Sequence, residues 1–67
     1  MVIEKYKTAF GYIVRVKPPR KKHWMYVESY RNGLYKFSSD YTYAAGYTMN
    51  VAIKHIERLK EMERCFG

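Results

Sequence analysis

The chain has 67 residues, 48% of them hydrophobic, and a net charge of +7 from 13 Lys and Arg against six Asp and Glu. This length predicts a single domain, residues 1–67, with a thin core. The lone cysteine, Cys65, excludes an internal disulfide, and together with His23 and His55 it makes a poor metal-ligand set. We therefore expect no metal and no other cofactor.

The hydropathy pattern argues against a membrane protein. No apolar run approaches the roughly 18 residues of a membrane span. Charged side chains at Glu4, Lys5 and Lys7 interrupt any signal-peptide core after Met1. We therefore expect a protein of the reducing cytoplasm, with no membrane partner.

The first part of the chain predicts strands. Val2 to Lys7 is a weak candidate for an edge strand. Tyr12 to Lys17 is rich in β-formers and ends at Pro18-Pro19, where neither residue can donate to a β-ladder. His23 to Tyr30 predicts the next strand.

A hairpin follows at Asn32-Gly33, because a type I′ turn requires positive φ at both central residues. Leu34 to Ser38 then predicts the returning strand, with Tyr30 opposite Tyr35 and Glu28 opposite Phe37.

Side chains alternate between the two faces of these strands. One face would carry mostly aromatic residues: Trp24, Tyr26, Glu28, Tyr30, Tyr35 and Phe37. The other would carry Met25, Val27, Ser29, Leu34 and Lys36. A single helix can cover only one face. Either face can be the core, and we favour the aromatic one because large rings supply most of the burial in small domains.

The C-terminal segment predicts an amphipathic helix from about residue 49 to about residue 64. Before it, Ser39-Asp40 predicts a turn or short helical stretch that ends at Gly46, and Thr48 is a candidate N-cap. Apolar residues recur at helical spacing: Met49, Ala52, Ile53, Ile56, Leu59 and Met62. We place His55 at the surface or boundary of this helix.

These elements predict an α+β domain. Its sheet is antiparallel and three-stranded, or four-stranded if the N-terminal segment joins, and one C-terminal helix packs across it. Free sheet edges and a thin core make a homodimer an open alternative.

Catalysis has little support in this sequence. A nucleophile needs a base within hydrogen-bond distance and usually a third group that orients the base. No spacing links the serines, Cys65, the histidines or Asp40 in that way. We therefore expect a binding protein and not an enzyme.

Positive charge is concentrated in the N-terminal part. Residues 1–40 hold nine Lys and Arg against three Asp and Glu, a net charge of +6, whereas residues 41–67 hold four against three, or +1. The densest run spans residues 15–24. It predicts a nucleic-acid-binding strand and loop, with cations on phosphates and rings that stack. Its candidate residues are Arg15, Lys17, Arg20, Lys21, Lys22, Trp24 and Tyr26.

Tyrosines give a second candidate surface. Tyr41, Tyr43 and Tyr47 lie close together outside the main strands. Tyrosine offers a large contact area at low entropic cost, which is typical of protein interfaces. The alternative is that these three residues form a half-buried rim of the core.

The stretch from Trp24 to Lys60 resembles small phage-encoded accessory proteins. The resemblance lies in Lys36-Phe37-Ser38-Ser39-Asp40, Ala45-Gly46-Tyr47-Thr48, and the helix positions Ala52, Ile56 and Leu59. Proteins of this kind that have a known role often block a host or defence protein. The resemblance implies an anti-defence or host-takeover inhibitor, located in the host cytoplasm, that docks on an acidic partner surface.

The order of strands and helix is also similar to the arm-binding domains of phage-type integrases. Trp24, Tyr26, Val27 and Gly33 fit that pattern. That family lays a three-stranded sheet in the DNA major groove, so the resemblance implies DNA binding. Residues 41–47 are an insertion relative to that family.

The two leading hypotheses are therefore binding of DNA or RNA through residues 15–24, and docking on an acidic protein through the tyrosines. A structural subunit is a third. The basic run favours the first.

Overall fold

A computed structural model shows four strands, a short 3-10 helix and one long helix. It describes the backbone of residues 1–66 and the side chains of residues 1–65. The elements are β1 (Val2–Thr8), β2 (Gly11–Lys17), β3 (Met25–Arg31), β4 (Leu34–Ser38), a 3-10 helix (Tyr41–Tyr43) and α1 (Met49–Phe66). The strands form one antiparallel sheet in the order β1-β2-β3-β4. The α+β class is confirmed, and the sheet is the four-stranded alternative, because the N-terminal segment joins it as β1.

The β3–β4 hairpin has the predicted turn. Asn32 and Gly33 have φ values of 52° and 78°, so both central residues adopt the positive φ of a type I′ turn. Tyr30 pairs with Tyr35, as the two-residue loop predicts.

The expected pairing of Glu28 with Phe37 is wrong, because β3 contains a bulge. Val27 pairs with Phe37 and Ser29 pairs with Lys36, which leaves Glu28 as the extra residue. One extra residue moves every later side chain of the strand to the opposite face.

Neither predicted face is therefore the core. Met25 and Val27, which precede the bulge, pack towards α1. Tyr30, which follows it, lies on the same side, with its ring 5.3 Å from that of His55 in α1. Tyr35 joins the core from β4. The core thus takes residues from both predicted sets.

Strands β2 and β3 pair at only two positions, Arg15 with Tyr26 and Val16 with Met25. Residues 44–47, which we call the wedge segment, occupy the gap where the two strands part. The Ala45 N–H donates to the carbonyl of Val27 at 2.9 Å. Tyr47 exchanges two hydrogen bonds with Tyr12, at 2.8 and 2.7 Å. The wedge segment therefore bonds to both strands and completes the sheet.

Two glycines permit this close approach. A Cβ on Gly46 would lie 2.6 Å from the carbonyl oxygen of Phe10. A Cβ on Gly11, whose φ is 113°, would lie 2.9 Å from the carbonyl oxygen of Tyr47. Gly46 was expected to end a helical stretch, but that stretch ends earlier, with Ala44 as its C-cap. The role of Gly46 is to let the wedge segment pack against the β1–β2 turn.

The helix begins and is capped as predicted. The Thr48 hydroxyl accepts from the Val51 N–H at 3.4 Å, and α1 extends from Met49 two residues beyond the predicted end. It packs on β1 and β2. The core cluster contains Ile3, Val14, Val16, Val27, Ala52 and Leu59. The apolar stripe is narrower than predicted, because Met49 and Met62 are exposed.

His55 is buried, so its expected surface position is wrong. It is 5% exposed and its Nδ1 lies 2.8 Å from the Tyr35 hydroxyl. The centroid of the Tyr47 ring lies 4.6 Å from the centroid of the His55 ring. Burial lowers the pKa of His55, with a further contribution from the charge of Arg58, and burial raises the pKa of Tyr35. A hydrogen bond therefore joins the neutral imidazole to the protonated Tyr35 phenol.

Substitution of Gly46 tests the wedge segment. Gly46→Ala is expected to lower the free energy of unfolding by about 1–3 kcal/mol, because the new methyl group meets backbone that cannot move independently. Urea denaturation measures this. Gly33→Asn is the matched control: no atom lies within 4 Å of a Cβ at Gly33, and asparagine tolerates positive φ. If the two variants are equally stable, the close approach at Gly46 is wrong.

Acid should destabilise the fold through His55. Its pKa is lower in the folded state, so the folded protein binds fewer protons than the unfolded chain. The stabilisation is present above the unfolded-state pKa of about 6.5 and is lost as the pH falls below it, by at most about 1.4 kcal/mol per pH unit.

Urea titrations from about pH 7.5 to about pH 5 test this pH dependence, which should become shallower in His55→Gln. His23→Gln, at an exposed position of the β2–β3 loop, is the control and should keep the parent's dependence. An unchanged slope in His55→Gln would contradict the assignment.

Candidate nucleic-acid interface

The face of the sheet turned away from α1 carries only the short 3-10 helix, which packs on β3. In the strand register Glu4 pairs with Arg15, Arg15 with Tyr26, and Tyr26 with Ser38. These residues form a row across all four strands. Because the core residues Val14, Val16 and Val27 alternate with this row, it lies on the opposite face. We call this surface the open face.

Arg15 organises the centre of the open face. Its guanidinium carbon lies 4.5 Å from the centroid of the Tyr6 ring and 4.2 Å from that of the Trp24 ring. Its Nε donates to a Glu4 carboxylate oxygen at 2.8 Å, and Nη2 contacts the same oxygen. The guanidinium thus holds two rings in place while Glu4 balances its charge. Its predicted contact with phosphate stays a prediction.

Further rings continue this surface. The rings of Tyr26 and Tyr41 meet edge to face, with centroids 5.6 Å apart and an interplanar angle of 89°. Tyr6, Trp24, Tyr26 and Tyr41 therefore form what we call the aromatic band. Tyr6 and Tyr41 are 47% and 48% exposed, and the other two are half-buried. Bases or sugars can reach these rings from solvent.

Sequence reasoning missed Tyr6. The signal was present, because two-residue alternation places Tyr6 on the same face of β1 as Glu4. What the sequence lacked was the register of β1 on β2, which pairs Glu4 with Arg15 and so brings the Tyr6 ring to the guanidinium.

The β2–β3 loop, residues 18–24, supplies the free cations. Lys17, the last residue of β2, precedes the loop, and its Nζ lies 5.7 Å from the centroid of the Trp24 ring. Arg20, Lys21 and Lys22 are exposed. Lys21 also lines a groove on the helix side of the sheet, together with Met25 and Leu59. The loop therefore places exposed charge at the end of the sheet that carries Trp24, with Lys21 towards the helix side.

A tight turn shapes this loop. The Lys21 N–H donates to the Pro18 carbonyl at 3.3 Å, which closes a turn with Pro19 and Arg20 at its centre. Arg20 has a φ of 69°. A type II turn has positive φ at its third residue, where glycine is favoured, and often has proline at its second residue. Arg20 and Pro19 occupy these two positions. The chain keeps an arginine in this position at a cost in backbone strain.

The three tyrosines of the alternative interface do not form one surface. Tyr41 belongs to the aromatic band and Tyr43 is 60% exposed on the 3-10 helix. Tyr47 packs against the core beside His55, and burial raises the pKa of its hydroxyl.

Asp40, which caps the 3-10 helix, has a lowered pKa because the backbone N–H and the hydroxyl of Thr42 donate to it.

Within residues 1–66, no three His, Cys, Asp or Glu residues lie close enough together to hold a metal ion. The same residues include no helix with both the length and the hydropathy of a membrane span.

Comparison of the chain with protein-family models, curated proteins and solved structures found no match. The similarities to phage accessory proteins and to integrase arm-binding domains therefore stay predictions.

The strained turn gives a test of the loop. Arg20→Gly is expected to raise the free energy of unfolding by up to about 1 kcal/mol, because glycine adopts positive φ without the cost of about 1–2 kcal/mol paid by other residues. Arg20→Ala is the matched control, since alanine removes the same charge and keeps the strain. Urea denaturation compares them, and an Arg20→Gly variant no more stable than Arg20→Ala would contradict the turn.

Proposed function

We propose that the protein binds nucleic acid through the open face and the β2–β3 loop. The observation that carries the proposal is the junction of the aromatic band with the exposed cations, where Trp24 is both the last residue of the loop and a ring of the band. Phosphates are bound by such cations, and bases stack on such rings. Lys17, Arg20 and Lys22 contact phosphates, while Trp24, Tyr26 and Tyr6 contact bases or sugars.

Electrostatics support this division of roles. Arg15 is paired with Glu4, and Lys36 lies 3.7 Å from a carboxylate oxygen of Glu28. The uncompensated positive charge of this part of the molecule is therefore concentrated in the loop. A net charge of +7 also steers a polyanion towards the protein from a distance.

The protein-inhibitor hypothesis is the second candidate, supported by exposed apolar side chains at one end of the molecule. Phe10 is 92% exposed in the β1–β2 turn and lines a groove with Tyr41. Aromatic side chains of this kind serve as anchors in protein interfaces. An acidic host or defence protein, as the phage resemblance implies, would suit the net charge of +7. Pull-down from lysate with and without nuclease treatment separates this candidate from the first.

The proposal places the protein in a reducing cytoplasm, where an exposed free thiol such as that of Cys65 persists.

Removal of the loop cations tests the main proposal. With duplex DNA, each phosphate contact contributes about −0.9 to the slope of log K against log salt concentration. The triple variant Arg20→Ala, Lys21→Ala, Lys22→Ala should flatten this slope by about two units, because Lys21 is directed towards the helix side. Fluorescence anisotropy with a labelled oligonucleotide at several salt concentrations measures it.

The matched control removes the same charge elsewhere. Lys5→Ala, Lys54→Ala, Lys60→Ala takes away three exposed cations outside the open face and the loop. It should keep most of the parent's salt dependence. If both triple variants bind alike, binding reflects total charge alone and the proposed interface is wrong.

A further inference from the structure

We infer that the nucleic acid bound by the open face is single-stranded. This inference rests on the proposed function and adds the substrate class. It comes from two features of the open face: the spread of exposed rings across several strands, and the restriction of free charge to one end.

The aromatic band needs bases with accessible faces. Its rings come from β1, from the end of the β2–β3 loop, from the start of β3 and from the 3-10 helix, so they extend across the sheet and not along one strand. Strand β2 lies between β1 and β3, so these two strands are about 10 Å apart, a distance over which the bases of an extended single strand can reach separate rings. In a duplex the base faces are stacked on one another, and these rings would have only groove edges to contact.

The distribution of charge fits one phosphate backbone better than two. A duplex presents phosphates on two strands on either side of a groove. At the centre of the open face, Arg15 is engaged by Glu4 and is only 22% exposed at its side chain. The exposed cations Arg20 and Lys22 lie in the loop at one end. A single strand can place its backbone on this loop and its bases on the band.

The two features together define the ligand: a single strand of DNA or RNA whose phosphates meet the loop and whose bases stack on Trp24, Tyr26 and Tyr6. Arg15 acts in this arrangement as a positioning residue, because its guanidinium holds the Tyr6 and Trp24 rings that contact the ligand.

Anisotropy titrations test the inference. The probes are oligo-dT and oligo-U of about twelve nucleotides and a mixed-sequence duplex of the same length, at one salt concentration. Either single strand should bind at least about tenfold more tightly than the duplex. Tyr6→Ser should weaken single-strand binding about tenfold and leave duplex binding unchanged, because one stacking ring is lost. Tyr43→Ser is the matched control, an exposed tyrosine outside the band.

Trp24 supplies a second readout, because it is the only tryptophan. Its fluorescence should be quenched by the single strands and not by the duplex. Trp24→Leu should reduce single-strand affinity as Tyr6→Ser does, and Trp24→Phe should retain most of it, since a stacking ring remains. Circular dichroism of each variant checks folding. If Trp24→Leu does not fold, Tyr6→Ser and the comparison of Trp24→Phe with the parent protein still decide the result.

Failure of this inference differs from failure of the proposed function. Equal affinity for duplex and single strand, with no effect of Tyr6→Ser and a loss in the loop variant, overturns the single-strand inference alone. If the parent protein binds every probe no more tightly than the triple variant Arg20→Ala, Lys21→Ala, Lys22→Ala does, the proposed function is overturned as well.

Discussion

The backbone groups exposed where β2 and β3 part are the constraint on which the rest of the structure depends. Val27 is fully buried, and its carbonyl faces the gap together with the N–H and carbonyl of Tyr12. A buried backbone group without a partner costs about 1–3 kcal/mol, a large share of the stability of a small domain. The wedge segment supplies partners for all three groups, and it fits only because Gly11 and Gly46 lack a Cβ.

The wedge segment also decides where the surrounding aromatic residues lie. It crosses from one side of the sheet to the other, so Tyr41 lies against Tyr26 on the open face while Tyr47 enters the core beside His55. The bulge at Glu28 adds to this division by turning Tyr30 towards the helix. One irregular stretch of sheet thereby sets both the aromatic band and the buried histidine.

The open face combines a charge-balanced centre with a charged end. Glu4 takes up the charge of Arg15, which leaves the guanidinium free to contact rings on either side of it in the sheet. The loop keeps its cations exposed on a turn that includes an arginine at positive φ. A stacking surface that adjoins a charged loop is the physical basis for the proposal of a nucleic-acid ligand.

The sequence by itself determined the features that depend on neighbouring residues. The Asn32-Gly33 turn, the Thr48 cap, the helix and the four strand segments all follow from local backbone preferences and side-chain periodicity. The basic run of residues 15–24 is also visible in the sequence, because its cations are neighbours along the chain. Only the tertiary structure decided the bulge, the wedge segment, the burial of His55 and the contact of Tyr6 with Arg15. Each of these depends on the register between segments distant in sequence, and a shift of one residue in register exchanges the two faces of a strand.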